Sequence, residues 1–330
     1  MSENKRQHYV PQNYLREFSS DGESIGVFHL ESGKCVEYAP INSQAQESFF
    51  YGKNLELEKE LSEVEGLLAD NRRTITENTT NKLNIYQREV LYQDMILQLS
   101  RTKQMASLYE ETATAHARTI WKHSDDELIR KHADDFGIKI ENPVVASMAV
   151  ILHNLDVCLD LDFKILVNKT EIPFVTSDNP VCRYNQFFEA QKRYHSGLAS
   201  KGAQLYYPLS PSFSVFYYDS NVYKTKFRKR NYLDITDVND VNHLNGLVCA
   251  WADKCVYYHK GLMSREHVSW TFEHVKKSRN RLRVETEIPT GKESSIIIAR
   301  NPFPAFHLSL SFLTYQDKVK PYNLIIKKPR

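Results

Sequence analysis

The apolar residues of this chain change their spacing near residue 162, and that change decides which fold classes are open to it. Upstream, Leu57, Leu61, Val64 and Leu68 recur at helical intervals between glutamates, which predicts an amphipathic helix over about 55–78. Leu83, Tyr86, Val90, Leu91, Met95, Leu99 and Leu108 carry a second apolar stripe and predict a helical stretch over about 83–122. Asn142-Pro143 offers an N-cap followed by proline at the first helical position, opening a third helix to about residue 161. Downstream the pattern shortens to strand-like runs at 163–167, 173–176, 204–209, 212–219, 255–258, 282–287, 295–299 and 307–313. The first two bracket Asn168-Lys169-Thr170-Glu171 and read as a hairpin, as do 24–30 and 34–38 around Glu31-Ser32-Gly33. Thr236 is placed to cap a helix carrying Val241, Leu244, Val248 and Trp251 on one face, and a short helix begins near Ser264. Helices and strands in blocks, without βαβ alternation, predict an α+β fold: a helical N-terminal half packed against a mainly antiparallel sheet.

Composition narrows the function classes. Only 11 of the 330 residues are glycine, and neither GxGxxG nor GxxxxGK followed by Ser or Thr occurs, which argues against glycine-rich phosphate cradles. GxSxG and HExxH are absent as well. Lys+Arg 43 against Asp+Glu 41 gives a formal net charge of +2, so any electrostatic argument must be local. Five scattered cysteines without a CxxC pair point to reduced thiols rather than a disulfide framework or a zinc site. The opening MSENKRQ lacks the apolar core of a secretory signal, and the run 296–299 is too short to span a bilayer. The expectation is a soluble cytoplasmic protein with no membrane partner and no flavin, haem or zinc signature. Abundant tyrosine (19 residues) fits base-stacking surfaces and also ordinary sheet packing.

The polar candidates lie far apart in sequence. His8-Tyr9-Val10-Pro11-Gln12-Asn13-Tyr14-Leu15-Arg16-Glu17-Phe18 is unlike a disordered tail and reads as one wall of a site. Glu58 and Glu65 lie two helical turns apart, on one side of the first helix. Paired carboxylates with a histidine suit a hard cation such as magnesium or manganese, although a solvated acidic face explains the same pattern. Arg101, set among apolar neighbours three residues after Gln98, needs a partner; a substrate phosphate and Glu58 or Glu65 are the alternatives. Thr176-Ser177-Asp178-Asn179-Pro180 leaves a strand through a polar turn that is either local turn chemistry or part of a site. The stretch 185–203 is polar and is a candidate lid. Three basic clusters, at 224–230, 276–283 and 327–330, bias the second half positive and make nucleic acid the leading partner class.

His8-Tyr9-Val10-Pro11-Gln12, with Tyr14-Leu15-Arg16 and Phe18, resembles the opening of a mainly bacterial family catalogued as domain of unknown function 4238. Residues 57–66, 98–102, 174–181, 207–211 and 242–245 continue the likeness in order, over about 6–260. The resemblance implies that His8, Glu58, Glu65, Arg101 and Asp178 belong to one shared pattern, and it implies no reaction. The domain expectation is one α+β unit over 1–260, helical at about 50–161 and sheet at about 162–260, with 261–330 an extension on the same sheet. The functional expectation is a metal-dependent, nuclease-like hydrolase, a phage-defence or toxin effector. His8, Arg101 and Asp178 are its catalytic candidates, and Glu58, Glu65 and Asp178 its metal ligands. Gln12, Tyr14, Arg16, Gln98, Asn179, Lys226, Arg228 and Arg230 are the substrate-binding candidates. The alternatives are a non-catalytic nucleic-acid-binding or sensor module and a nucleotide- or NAD-processing enzyme.

Overall fold

A computed structural model describes residues 6–53, 55–79, 82–189, 197–227, 229–278, 283–289, 295–300 and 307–319. The helical half comes first. A short α1 (Gln12–Arg16) is followed by α2 (Glu56–Glu77), α3 (Ile85–Ser100), α4 (Lys103–Lys122), α5 (Glu127–Lys131) and α6 (Pro143–His153). The single stretch expected over 83–122 is two helices. Thr102, with extended backbone, caps α4 by accepting a hydrogen bond from the Met105 amide at 3.3 Å. The apolar stripe runs on across this break, so periodicity hides it; the threonine cap was its only local sign. The third helix stops at His153, well short of 161, and proline occupies its first turn.

The strands form two main sheets. The arm supplies β1 (Arg6–His8); β2 (Ser24–His29) and β3 (Cys35–Pro40) form the expected hairpin, and β4 (Gln46–Ser48) returns to pair with β1. Then come β5 (Asp162–Asn168), β6 (Thr176–Ser177), β7 (Cys182–Tyr184), β8 (Gln204–Pro208), β9 (Phe213–Tyr218), β10 (Tyr223–Thr225) and β11 (Tyr232–Ile235). Helix α7 (Val238–Trp251), β12 (Cys255–Tyr258) and α8 (Arg265–Val275) follow, and β13 (Arg283–Pro289), β14 (Ser295–Arg300) and β15 (Leu313–Tyr315) lie beyond them. A five-stranded sheet has the order β11-β5-β9-β8-β7, antiparallel except for the parallel β11–β5 pair; a four-stranded sheet has the order β3-β2-β12-β6. This is an α+β architecture.

Two expectations are corrected here. Residues 163–167 and 173–176 do not form a hairpin: β5 pairs with β9 and β11, whereas β6 pairs with β12 in the other sheet. Asn168 closes the intervening turn on itself, its Nδ2 donating to the Ile172 carbonyl at 2.7 Å, and the chain then crosses between sheets. The cap of α7 is Asp237, which accepts from the Asn239 amide at 2.9 Å, rather than Thr236.

The five-stranded sheet is covered on both faces, which is why its strands read as near-continuous apolar runs. One face holds Leu205, Tyr207, Val215 and Tyr217 against Leu91, Met95 and Leu99 of α3 and against Tyr9, Val10, Tyr14, Leu15 and Phe18 of the arm. The other holds Tyr206, Phe216 and Tyr218 against Val241, Leu244, Val248 and Trp251 of α7. Leu308, Leu310, Phe312 and Leu313 join this second core, with Phe312 edge-on to Phe216 at 5.7 Å. β15 then pairs with β10. A third cluster joins α2, α3 and α6. No described helix is long and apolar enough to cross a membrane.

Candidate functional site

The polar motifs surround the buried N-terminal arm and the turn into β12. Burial of the arm carries its backbone polar groups away from water, and buried groups need partners. Arg101, 1% exposed, supplies several at once. Its Nε donates to the Tyr51 hydroxyl at 2.8 Å, one terminal nitrogen to Glu65 Oε1 at 2.6 Å, and the other to the His8 carbonyl at 2.6 Å. Tyr51 also donates to the His8 carbonyl, at 3.1 Å. Gln98 Nε2 donates to the Tyr9 carbonyl at 3.1 Å. Gln7, buried beside them, accepts from the Tyr51 amide at 2.7 Å and donates to the Gly52 carbonyl at 3.3 Å. Burial penalises the Arg101 charge, but Tyr51 and Glu65 outweigh the penalty and hold its pKa above the ordinary value.

His8, Glu58, Glu65 and Arg101 form one electrostatic cluster. Burial lowers the His8 pKa, with Arg101 and Arg16 pushing the same way against the Asn42 carbonyl and Glu65, which favours the neutral imidazole. Its Nε2 lies 3.2 Å from the Asn42 carbonyl. Burial, and then Glu65, raises the Glu58 carboxyl. Gln12 and Arg16 bond to each other at 3.2 Å on the exposed side of α1. Tyr14 is wholly buried; its hydroxyl donates to the Pro208 carbonyl at 2.7 Å and lies 2.7 Å from Thr176 Oγ1.

Asp178 serves a different turn. Its Oδ1 accepts from the Asp253 amide at 2.8 Å, and its Oδ2 from the amides of Lys254 and Cys255 at 2.7 and 3.0 Å. Burial and the nearby Asp253 push its pKa up to about 7 against these donors. Asn179 Nδ2 donates to the Trp251 carbonyl at 3.0 Å and to Gln104 Oε1. The Thr-Ser-Asp-Asn-Pro segment therefore bolts the entry to β12. Glu58, Glu65 and Asp178 do not make a ligand set: among the described residues no three His, Cys, Asp or Glu side chains gather in a way that holds a metal ion.

A second buried ion pair was not anticipated. Arg72 of α2 grips both oxygens of Asp94 at 2.7 and 2.8 Å, donates to Asn13 Oδ1 at 3.3 Å, and lies over the Tyr14 ring at 5.7 Å. Tyr207 donates to Asp94 Oδ1 at 3.3 Å. The available sign was Asp94 itself, a carboxylate inside the apolar stripe of α3 that requires a cation.

An open concave surface lies along the β11–β5 edge. A cavity of about 620 Å³ is lined by Lys82, Lys169, Phe227, Lys229, Arg230, Tyr232 and Asp234, among others. A neighbour of about 520 Å³ shares Lys82, Lys229 and Asn231 with it and adds Arg88, Asp160, Asp162 and Lys164. Lys164 is 2% exposed and donates to the carbonyls of Phe227 and Arg230 at 3.3 and 2.5 Å, which ties both residues to β5 from beneath. Phe227 has φ 55°, and Arg230 places its guanidinium 5.4 Å from the ring centroid. Of the basic cluster at 224–230, Lys229 and Arg230 line this groove, Lys226 is exposed nearby, and Arg228 lies outside the described residues. Lys82 and Lys169 come from distant loops and carried no local signal. Of the other basic clusters, 279–282 and 327–330 lie outside the described residues, as does 190–196 of the candidate lid. Of the lid's flanks, Asn185 Nδ2 donates to the Lys201 carbonyl at 2.9 Å, and the Phe187 amide donates to the Tyr223 hydroxyl at 2.9 Å.

No curated protein and no solved structure matches the chain. The family described as Protein of unknown function (DUF4238) matches residues 6–261, a span that runs from β1 past β12 and takes in the arm, both buried arginine nodes and the basic groove. The chain belongs to that family.

Proposed function

We propose that this protein binds nucleic acid, with its phosphates held along the groove at the β11–β5 edge. The supporting observation is the charge of this cavity: Lys82, Lys169, Lys229 and Arg230 line it, and Asp234 is the one carboxylate among its described lining residues. A chain of near-zero net charge has no general attraction for polyanions, so a local concentration of cations in a concave surface is informative. Lys164 holds the Phe227 and Arg230 carbonyls from below, which anchors the backbone on either side of Lys229. The polar motif residues, by contrast, are mostly engaged with the protein's own main chain, which favours a binding module over the metal-dependent hydrolase.

The hydrolase is the second reading, and one observation favours it. Burial displaces both His8, whose pKa is lowered, and Glu58, whose pKa is raised, toward their uncharged forms within one cluster, as acid–base groups often are. One experiment addresses both readings. Fluorescently labelled RNA and DNA are titrated with protein at increasing salt, and the same mixtures are then run on denaturing gels with and without magnesium or manganese. Binding should weaken steeply with salt, and Lys82→Glu with Lys229→Glu should weaken it about tenfold or more. Unchanged binding in that double variant removes the groove from consideration. Strand cleavage that disappears in His8→Ala would establish the hydrolase instead.

A further inference from the structure

We infer that the groove takes nucleic acid as a single strand, with an unpaired base lying on the Phe227 ring; this rests on the nucleic-acid reading above. Phe227 combines two unfavourable properties. It is 63% exposed, so a large apolar ring faces water, and its φ of 55° is a backbone conformation that side chains with a Cβ rarely adopt. The residue is nevertheless held in place: Lys164 binds its carbonyl from below, and the Arg230 amide donates to the same oxygen at 2.9 Å. A strained, exposed residue that its surroundings lock in position is a reason to look for a ligand.

The surroundings identify the ligand's chemistry. The Arg230 guanidinium lies against the ring, and Lys82, Lys169 and Lys229 line the same cavity. An aromatic platform flanked by cations is the arrangement that holds a base by its π-face and a backbone by its phosphates. In a duplex each base already has both faces covered by its neighbours, so a Phe227 ring has nothing to stack on. In a single strand the face is free. The cavity volume of about 620 Å³ is within the range of pockets that take a nucleotide-sized group. The adjoining cavity continues the cationic lining with Lys82, Arg88, Lys164 and Lys229 and sets Asp160 and Asp162 among them.

The test compares oligo-dT and oligo-U with a hairpin duplex of matched charge, each labelled with fluorescein, by anisotropy against the full chain. Wild type should bind the single strands more tightly than the duplex. Phe227→Ala should lose about tenfold of single-strand affinity, the size expected for one base–aromatic stack. Its weak duplex binding should be unchanged, and Phe227→Trp should restore the loss. Equal binding of duplex and single strand, with Phe227→Ala unaltered, overturns the inference; if Lys82→Glu with Lys229→Glu weakens both probes in that case, the nucleic-acid reading stands. No binding of any probe overturns both.

Discussion

At the scale of single residues, the two buried arginines divide their work between side chains and main chain. Arg72 neutralises Asp94, whereas Arg101 reaches past Glu65 to hold the carbonyl of His8. Removing a buried charge's partner is more damaging than the pair's own net contribution, so both arginines are positions where Lys is not conservative. His8 offers the cleanest separation of fastening from chemistry. Its folded pKa lies below the ordinary 6.5, so the unfolded chain binds a proton more readily. The stability this provides is complete above about pH 6.5 and is lost as pH falls through the folded value. Melting temperatures measured from pH 7.5 down to about pH 5 should therefore fall less steeply in His8→Gln than in wild type. Parallel profiles would mean that burial does not disfavour the protonated imidazole.

At the scale of elements, caps decide where helices begin. Asp237→Ala should cost about 1 kcal/mol in urea unfolding, because it leaves the Asn239 amide unpaired, while Thr236→Ala should stay within about 0.5 kcal/mol. The α+β class and the helices carried by an uninterrupted apolar stripe were legible, because a periodicity of a few residues is a local property. The break at Arg101–Thr102 was not, since the stripe continues through it. Nor was the separation of β5 from β6, because a strand's partners are chosen by what lies across the core rather than by its own side chains. The site was legible to the same depth. His8, Glu65 and Arg101 could be named as a set, but a sequence displays side chains and conceals where carbonyls will need donors. The groove was legible only in the 224–230 cluster, because Lys82 and Lys169 join it through the tertiary fold alone.

At the scale of the molecule, the family's span ends at residue 261, yet the core it encloses is finished by residues beyond it. Phe312 is 3% exposed against Phe216, so Phe312→Ala should cost about 3–5 kcal/mol. The variant should also lose near-UV circular dichroism at lower urea than wild type, and an unchanged midpoint would show the segment to be dispensable. The pairing of β15 with β10 also orders events in time. Synthesis delivers the arm, α3 and the five strands first, so one face of the sheet can close while the chain is still growing. The face carrying Phe216, Tyr218 and Val222 lacks Leu308, Leu310 and Phe312 until the segment that carries them has left the ribosome. For that interval the nascent protein presents a half-dressed sheet, the kind of surface that chaperones bind and that aggregates when it waits too long.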